Sequence, residues 1–137
     1  MKKQETVRAI LVKAHVDPKE IVIPNDYRFW QKLVGGLVQC IYPFDDSVAV
    51  ICNDEGKLLH MEPNRNILGA DDRVLDTING DFLIFNYGEL EDDTDGEFID
   101  MTDKQVAKYL DYYSQERTKP RYVESDVPFI RELMAYL

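Results

Sequence analysis

The side chains most able to do chemistry are concentrated in one acidic stretch. Residues 89–103 hold eight carboxylates and no lysine, arginine or histidine. In alignment with a calcium-binding loop, Glu91, Asp93 and Asp95 take the first, third and fifth ligand positions. Thr102, however, stands where such a loop needs its closing bidentate acid. The pattern therefore favours a solvated acidic loop over a calcium site.

The whole chain shares this acidity, with a formal net charge of −10 in 137 residues. Binding to nucleic acid or anionic lipid needs lysine and arginine to neutralise phosphate, so the charge argues against those partners. It suits a basic protein partner, whose approach a negative surface accelerates. Acidity that only keeps the protein soluble is the alternative interpretation. The residues expected to contact a partner are Glu91, Asp92, Asp93, Asp95 and Glu97.

A second candidate site combines a planar cation with two amides. Asn64, Arg65 and Asn66 lie in the stretch EPNRNILGADDR, whose polar residues, proline and glycine predict a loop. Their donors suit a phosphate, a carboxylate or the edge of a nucleobase. Asparagines also bond to their own backbone in turns, so a purely structural role is the alternative.

Groups suited to catalysis are scarce. His15 and His60 are the two histidines, and none of the three serines stands in a nucleophile-elbow or HExxH setting. His60 falls in the alternating run KLLHME, which predicts a position on a sheet face. Cys40 and Cys52 form no CxxC motif, and both are predicted to be small core residues. We therefore expect a protein that is not an enzyme and that binds no metal or cofactor.

The paired glycines Gly35 and Gly36 raise the question of a phosphate cradle. In phosphate-binding motifs the glycines follow a strand and open a helix. Here they end a helical pattern that Asn25 or Asp26 can cap, and a strand pattern follows them. The pair is therefore predicted to be a left-handed helix C-cap.

These motifs sit on elements in the predicted order β-β-α-β-β-β-β-β-α-α. Hairpins rather than strand–helix alternation indicate an α+β fold with a mostly antiparallel sheet, one helix inserted early and two C-terminal helices. One hairpin is expected to pair Tyr42 with Val48 and Cys40 with Val50. The Asn-Gly pair at 79–80 predicts a two-residue hairpin turn between two apolar runs.

The end of the chain is predicted to be a separate extension. Thr102 and Gln105 form a capping box that opens a helix expected to run to about Arg117. We expect one domain over residues 1–118 and an extension over 119–137 with a short amphipathic helix. The apolar stripe of that helix consists of Phe129, Ile130, Leu133 and Leu137. Such a short helix needs cover, which the domain's own sheet or helix or another copy of the chain can supply. We favour self-association or docking on a partner, because the pattern of the domain is complete without this segment.

Bulk composition indicates a globular protein of the cytoplasm. Hydrophobic residues make up 45% and charged residues 31%, which is ordinary globular composition. No apolar run approaches the length that spans a bilayer, and no signal-peptide pattern opens the chain. Two cysteines without a disulfide framework suit a reducing compartment.

Several turns in a fixed order resemble a known family. The run WQKLVGGLVQCIYPFDDSVAVICNDEGKLLHMEPNRNIL, followed by DTINGDFLIF, is similar to a bacterial and phage family catalogued as domain of unknown function 3846. The shared features are the LVGG helix end, the ICNDEGK turn, the PNR loop and the glycine before FLIF, over residues 6–113. The resemblance implies an accessory protein of a phage or other mobile element, with a counter-defence or host-takeover role. It implies no established activity and no site residues.

Two functions follow as expectations. The first is a non-enzymatic inhibitor whose acidic surface binds a host protein, for instance the basic groove of a nucleic-acid-binding enzyme. The alternative is a protein that binds or sequesters a small ligand, such as a nucleotide signal, through Asn64, Arg65 and Asn66.

Overall fold

The computed structural model describes residues 5–88 and 98–121. In chain order its elements are β1 (Thr6–Val12), β2 (Lys19–Pro24), α1 (Tyr27–Val34), β3 (Val38–Ile41), β4 (Val48–Asn53), β5 (Pro63–Leu68), β6 (Val74–Asn79), β7 (Phe82–Asn86), α2 (Asp103–Tyr112) and a 3-10 turn (Glu116–Thr118). The fold is α+β with antiparallel sheets, as predicted. The helix inserted early is confirmed as α1.

Two predicted binding elements lie outside the described residues. One is the acidic contact set at residues 91–97, and the other is the apolar stripe of the C-terminal helix at residues 129–137. The role of each set stays a prediction, and so does the domain boundary at residue 118.

A five-stranded sheet in the order β2-β1-β7-β4-β3 forms the centre of the fold. One surface of this sheet, the α1 face, buries alternate residues of its strands beneath helix α1. They include Val7, Ala9, Leu11, Ala49, Ile51, Leu83 and Phe85. The opposite surface, the α2 face, is covered by α2 and by the second sheet, β5-β6. It buries Ile10, Val12, Val48, Val50, Cys52, Phe82 and Ile84 against Ile78, Met101, Val106, Tyr109 and Tyr113.

Helix α1 begins and ends as its sequence predicts. The Asp26 carboxylate accepts a hydrogen bond from the Arg28 N–H, so Asp26 is the N-cap. Gly35 is the C-cap in the left-handed region, at φ 84°, and its N–H donates to the Gln31 carbonyl. The paired glycines therefore terminate a helix and do not cradle a phosphate.

Helix α2 confirms its predicted start but ends early. Thr102 and Gln105 form both hydrogen bonds of the capping box. The helix stops at Tyr112, so the prediction that it continues to about Arg117 is wrong. The carbonyl of Tyr113, which would accept from Arg117 in a longer helix, instead accepts from the Arg65 side chain at 2.9 Å.

The predicted hairpin at 79–80 is wrong, although both strands exist. β6 pairs with β5, whereas β7 pairs with β1 and β4 in the central sheet. Gly80 has a positive φ, and its N–H donates to the Glu62 carbonyl at 2.8 Å. The chain therefore passes from one sheet to the other at this turn.

The stretch predicted as a polar loop supplies the partner of β6. Residues 63–68 form β5, and Asn64, Arg65 and Asn66 are buried there. Polar side chains with a proline and a glycine nearby are typical of a loop, so the sequence pattern predicted a loop where the structure has a strand.

Strands β3 and β4 pair one residue away from the predicted register. Cys40 lies opposite Ile51, and Ile41 lies opposite Val50. Because side chains alternate along a strand, this register separates the two cysteines. Cys52 is buried as predicted, whereas Cys40 is exposed, so its assignment to the core is wrong.

The connection between these strands sets that register. Residues 42–47 fold back toward α2, where the ring of Phe44 packs on Tyr109 with centroids 4.8 Å apart. Asp46 accepts a hydrogen bond from the Tyr109 hydroxyl at 2.8 Å. These long-range contacts, rather than a local turn, place the first residue of β4.

His60 does not lie on a sheet face. It belongs to a tight turn in which Leu59 N–H donates to Glu55 and His60 N–H donates to Lys57. Its φ of 56° is left-handed, so the strand predicted for LLHM is wrong.

Candidate functional site

The α1 face of the sheet carries an open cleft, called here the aromatic groove. It has a volume of about 540 Å³. Its lining residues are Tyr27, Trp30, Val38, Cys40, Tyr42, Ile51, Tyr87 and Phe98. Five of these eight residues are aromatic, and Tyr27 and Tyr42 are 47% and 64% exposed. Exposed aromatic rings gathered in one cleft are typical of a binding surface.

Helix α1 provides one wall of the aromatic groove. Tyr27 and Trp30 are three residues apart, so they lie on the same side of the helix. The indole of Trp30 packs on Phe85 and Phe98, with ring centroids 4.9 Å and 5.2 Å away. Its N–H donates to the Pro24 carbonyl at 3.3 Å. The wall is therefore held in place by the core of the α1 face.

Tyr42 and Tyr87 form the other wall. Their rings meet edge to face with centroids 5.7 Å apart. The Tyr87 hydroxyl donates to the backbone carbonyl of Asp46 at 3.2 Å. A hydrogen bond with Cys40 and partial burial raise the pKa of Tyr42 to about 12, so its hydroxyl stays neutral at physiological pH.

Asp46 fixes the loop that carries this wall. Its carboxylate accepts from the Tyr109 hydroxyl at 2.8 Å and from the Ser47 N–H at 2.7 Å. Burial pushes the pKa of Asp46 upward, but these two hydrogen bonds and the nearby Lys108 outweigh it. The pKa therefore lies below its usual value. The wall of the groove is thus tied to α2 on the far side of the sheet.

The lining of the aromatic groove is aromatic and uncharged. Among the described residues, its lining contains no acid, base or cation. What it offers is the faces and edges of rings, three tyrosine hydroxyls and one thiol. Aromatic faces attract cations and stack with planar groups.

A second cleft lies on the opposite side of β3, called here the acidic cavity. Its volume is about 370 Å³. Gln39 and Ile41 of β3 line it, and its charged residues are Asp54, Glu55, Lys57 and Asp76. Lys57 and Asp76 form an ion pair, which holds the pKa of Asp76 below its usual value. The lining keeps a net negative charge.

The predicted acidic contact set is joined covalently to the aromatic groove. Tyr87 and Phe98 both line the groove, and residues 88–97 are the chain between them. Those ten residues include six carboxylates. The structure therefore describes both ends of the acidic segment as groove residues.

Asn64, Arg65 and Asn66 occupy a different place, inside the protein. Arg65 is only 1% exposed. Its Nε donates to the Tyr113 carbonyl at 2.9 Å, and Nη2 donates to the Val16 carbonyl at 2.8 Å. Nη1 donates to both oxygens of Asn64. Burial lowers the pKa of Arg65, against the opposing effect of Asp17.

The two asparagines complete this buried cluster. The Asn64 amide donates to the carbonyls of Val12 and Gly80, each at 2.9 Å. The Asn66 amide donates to the Lys119 carbonyl at 3.1 Å. These side chains therefore join β5 to β1, to the β6–β7 turn and to the chain after α2. Their role in binding a small ligand stays a prediction, but their observed partners are backbone carbonyls.

The other side chains that could bind a metal or act as nucleophiles do not form a cluster among the described residues. The described residues contain no group of three histidine, cysteine or acidic side chains that could hold a metal ion. Burial raises the pKa of Cys52 to about 11, which keeps that thiol protonated. No helix in residues 5–88 and 98–121 is long and apolar enough to cross a membrane.

Sequence reasoning missed the aromatic groove, although two signals for it were present. Tyr27 and Trp30 have helical spacing, and Val38, Cys40 and Tyr42 alternate on one side of β3. Each pattern predicts a shared face, but neither pattern shows whether that face is covered by the core or open to solvent. Whether a face is covered depends on elements distant in the chain.

Comparison with known proteins gives a family for the chain. A family model for a domain of unknown function, DUF3846, matches residues 7–114. No curated protein and no solved structure matches the chain. Because the model covers well over half of its length, the chain belongs to the DUF3846 family, as its sequence motifs predicted.

Proposed function

We propose that this protein is a non-enzymatic binding protein that captures a basic segment of a partner protein at the aromatic groove. One observation carries the proposal. Tyr87 and Phe98 line the groove and flank the ten residues 88–97, which include six carboxylates. A segment with a high density of negative charge is therefore joined at both ends to aromatic residues of the groove.

Aromatic rings and carboxylates together suit arginine and lysine. A guanidinium or ammonium group over an aromatic face gains about 0.5–2 kcal/mol, depending on how far it is desolvated. Each acid of residues 89–97 is at most five residues from Tyr87 or Phe98. Negative charge close in the chain to a binding surface accelerates encounter and selects the sign of the partner, most strongly at low salt.

The finer part of the proposal concerns the partner. We propose a counter-defence or host-interaction role for an accessory protein of a phage or mobile element, acting in the cytoplasm. The partner would be a host protein with a basic surface, such as a nucleic-acid-binding enzyme. The net charge of −10 supports this, because an acidic protein can compete for a surface that normally binds phosphate.

Selection from a displayed library of random twelve-residue peptides tests the proposal without a known partner. The wild-type protein should enrich peptides rich in arginine and lysine, and raised salt should reduce their retention. A Tyr27→Ala/Tyr42→Ala variant should lose the enrichment. A Val22→Ala variant, changed at an exposed residue of β2, should keep it.

A variant with all six acids of residues 89–97 changed to amides separates the contribution of these carboxylates from that of the aromatic rings. It should bind basic peptides more weakly and with a smaller salt dependence, and keep the residual preference that the aromatic rings and the carboxylates of the acidic cavity supply. Enrichment of neutral or acidic peptides by the wild-type protein would contradict the proposal.

A further inference from the structure

The two edge strands of the central sheet differ in the features that block pairing with another strand. β2 and β3 are the edge strands. β2 begins with the charged pair Lys19 and Glu20 and ends at Pro24, features that discourage another strand from pairing. β3 reads Val-Gln-Cys-Ile and contains neither a charge nor a proline. Among the described residues, no strand pairs with the outer edge of β3.

The outward-facing backbone groups of β3 can be identified. The Asp54 N–H donates to the Leu37 carbonyl at 2.9 Å, so that pair is hydrogen-bonded. Hydrogen-bonded and non-bonded pairs alternate in antiparallel strands. Gln39 and Ile41 therefore direct their N–H and C=O groups to β4, and Val38 and Cys40 direct theirs to the open edge.

The side chains of β3 lie between two clefts. Val38 and Cys40, with Tyr42 beyond the strand, line the aromatic groove. Gln39 and Ile41 line the acidic cavity. A strand added beside β3 would place alternate side chains on these same two surfaces. Backbone bonds would supply affinity, and the two clefts would supply specificity.

We infer that the partner segment binds in extended form as a sixth strand against β3. Its basic side chains, at every second position, face Asp54 and Glu55 of the acidic cavity. The intervening side chains enter the aromatic groove, whose rings accept an apolar, aromatic or cationic side chain. This inference rests on the proposed function, because it specifies how the basic segment of that proposal is held.

Charge selects this occupant over a second copy of the chain. Pairing two β3 edges would bring together two molecules that each carry a net charge of −10. A basic strand instead meets a cavity with three carboxylates and one lysine. β3 has four residues, so the added strand needs only four or five residues.

Four capped heptapeptides test the inference by binding titration at low salt. One alternates arginine and valine, Arg-Val-Arg-Val-Arg-Val-Arg, and one has the same composition in two blocks. The other two replace arginine by glutamate in each arrangement. The alternating basic peptide should bind at least tenfold more tightly than its blocked isomer. Two further peptides carry N-methyl groups on every second residue. Methylation of the N–H groups that face β3 should abolish binding, whereas methylation of those that face away should leave it nearly unchanged.

The matched protein variants are Cys40→Pro and Val22→Pro. Each substitution removes an outward-facing N–H from an edge strand. In β2, the Asn25 N–H donates to the Glu5 carbonyl, so the alternation of bonded pairs places the N–H of Val22 on the outer edge. Cys40→Pro should weaken the alternating basic peptide at least tenfold more than Cys40→Ala does, whereas Val22→Pro should leave its affinity unchanged. If Cys40→Pro fails to fold, the two N-methylated peptides decide the question.

The outcomes separate the inference from the proposed function. Equal binding of the alternating and blocked basic peptides would overturn strand addition and leave the proposed function standing. Equal binding of the alternating acidic and basic peptides would support strand addition and contradict the preference for a basic partner. No binding of either alternating peptide would overturn the inference. So would a wild-type dimer that Cys40→Pro dissociates, because a second copy would then occupy the edge.

Discussion

The Arg65 cluster and the aromatic groove reverse the usual distribution of polar and apolar side chains. Arg65 and its two neighbouring asparagines are buried and bonded to backbone carbonyls. Tyr27 and Tyr42 are exposed beside a cleft. Residue type alone would assign binding to the first region and core packing to the second. The difference shows that long-range contacts decide which residues remain available to a partner.

The largest expected effect comes from removing the buried cation. Arg65→Met should lower the free energy of unfolding by about 3 kcal/mol or more, because the carbonyls of Val16 and Tyr113 lose their charged donor. Urea unfolding measures the change. Arg73→Met, at an exposed arginine, is the control and should shift stability by less than about 0.5 kcal/mol.

The buried cluster of Asn64, Arg65 and Asn66 also allows a test of the small-ligand hypothesis. A ligand at about 100 times its dissociation constant would add about 2.7 kcal/mol of stability. Because the donors of Arg65 bond to carbonyls, we expect no shift in melting temperature against a panel of nucleotides. A large shift that Arg65→Met abolishes would show that the buried cluster is a ligand site.

The next effect concerns the tie between α2 and the groove wall. The folded-state pKa of Asp46 lies below its unfolded value of 3.8, so ionised Asp46 stabilises the fold above that pH. This contribution is lost as the pH falls through the folded pKa. Asp46→Asn should cost about 1 kcal/mol at pH 6. The gap between variant and wild type should narrow by pH 3, measured by urea unfolding at both pH values.

Gly35→Ala should have a similar or slightly smaller effect. The left-handed φ of 84° disfavours a side chain, and a Cβ would lie 3.2 Å from the Met61 methyl group. We expect a loss of about 1 kcal/mol in stability and no change in peptide affinity. An unchanged melting temperature would show that the cap contributes nothing to stability.

The smallest expected stability effect lies in the groove itself. Tyr42→Ala should change the free energy of unfolding by less than about 0.5 kcal/mol, because that ring is mostly exposed. Its affinity for basic peptides should nevertheless fall. A loss of stability as large as that of Arg65→Met would place Tyr42 in the core and remove the contrast between the two regions.

Local signals predicted the features that depend on neighbouring residues. The α1 caps, the capping box of α2 and most strands follow from side chains within a few positions of one another. The α+β class followed from the order of these elements. Nothing in the local sequence around Asn79 and Gly80 could show that the strands on either side join different sheets.

The candidate site was less predictable, for the same physical reason. Asn64, Arg65 and Asn66 have the composition of a loop, and only the carbonyls of distant segments explain their burial. Tyr42 and Cys40 follow the alternation of a buried strand. Their exposure depends on which elements cover that part of the sheet, which no local pattern contains.

Fluorescence of Trp30 tests the central claim most directly, since it is the only tryptophan in the chain and it lines the aromatic groove. The protein is titrated with the alternating arginine–valine heptapeptide and with its glutamate counterpart, at low and at physiological salt. The account predicts a saturable change with the basic peptide, weaker at physiological salt, and none with the acidic one. A Trp30 signal that ignores the basic peptide, or that responds equally to both peptides, would contradict it.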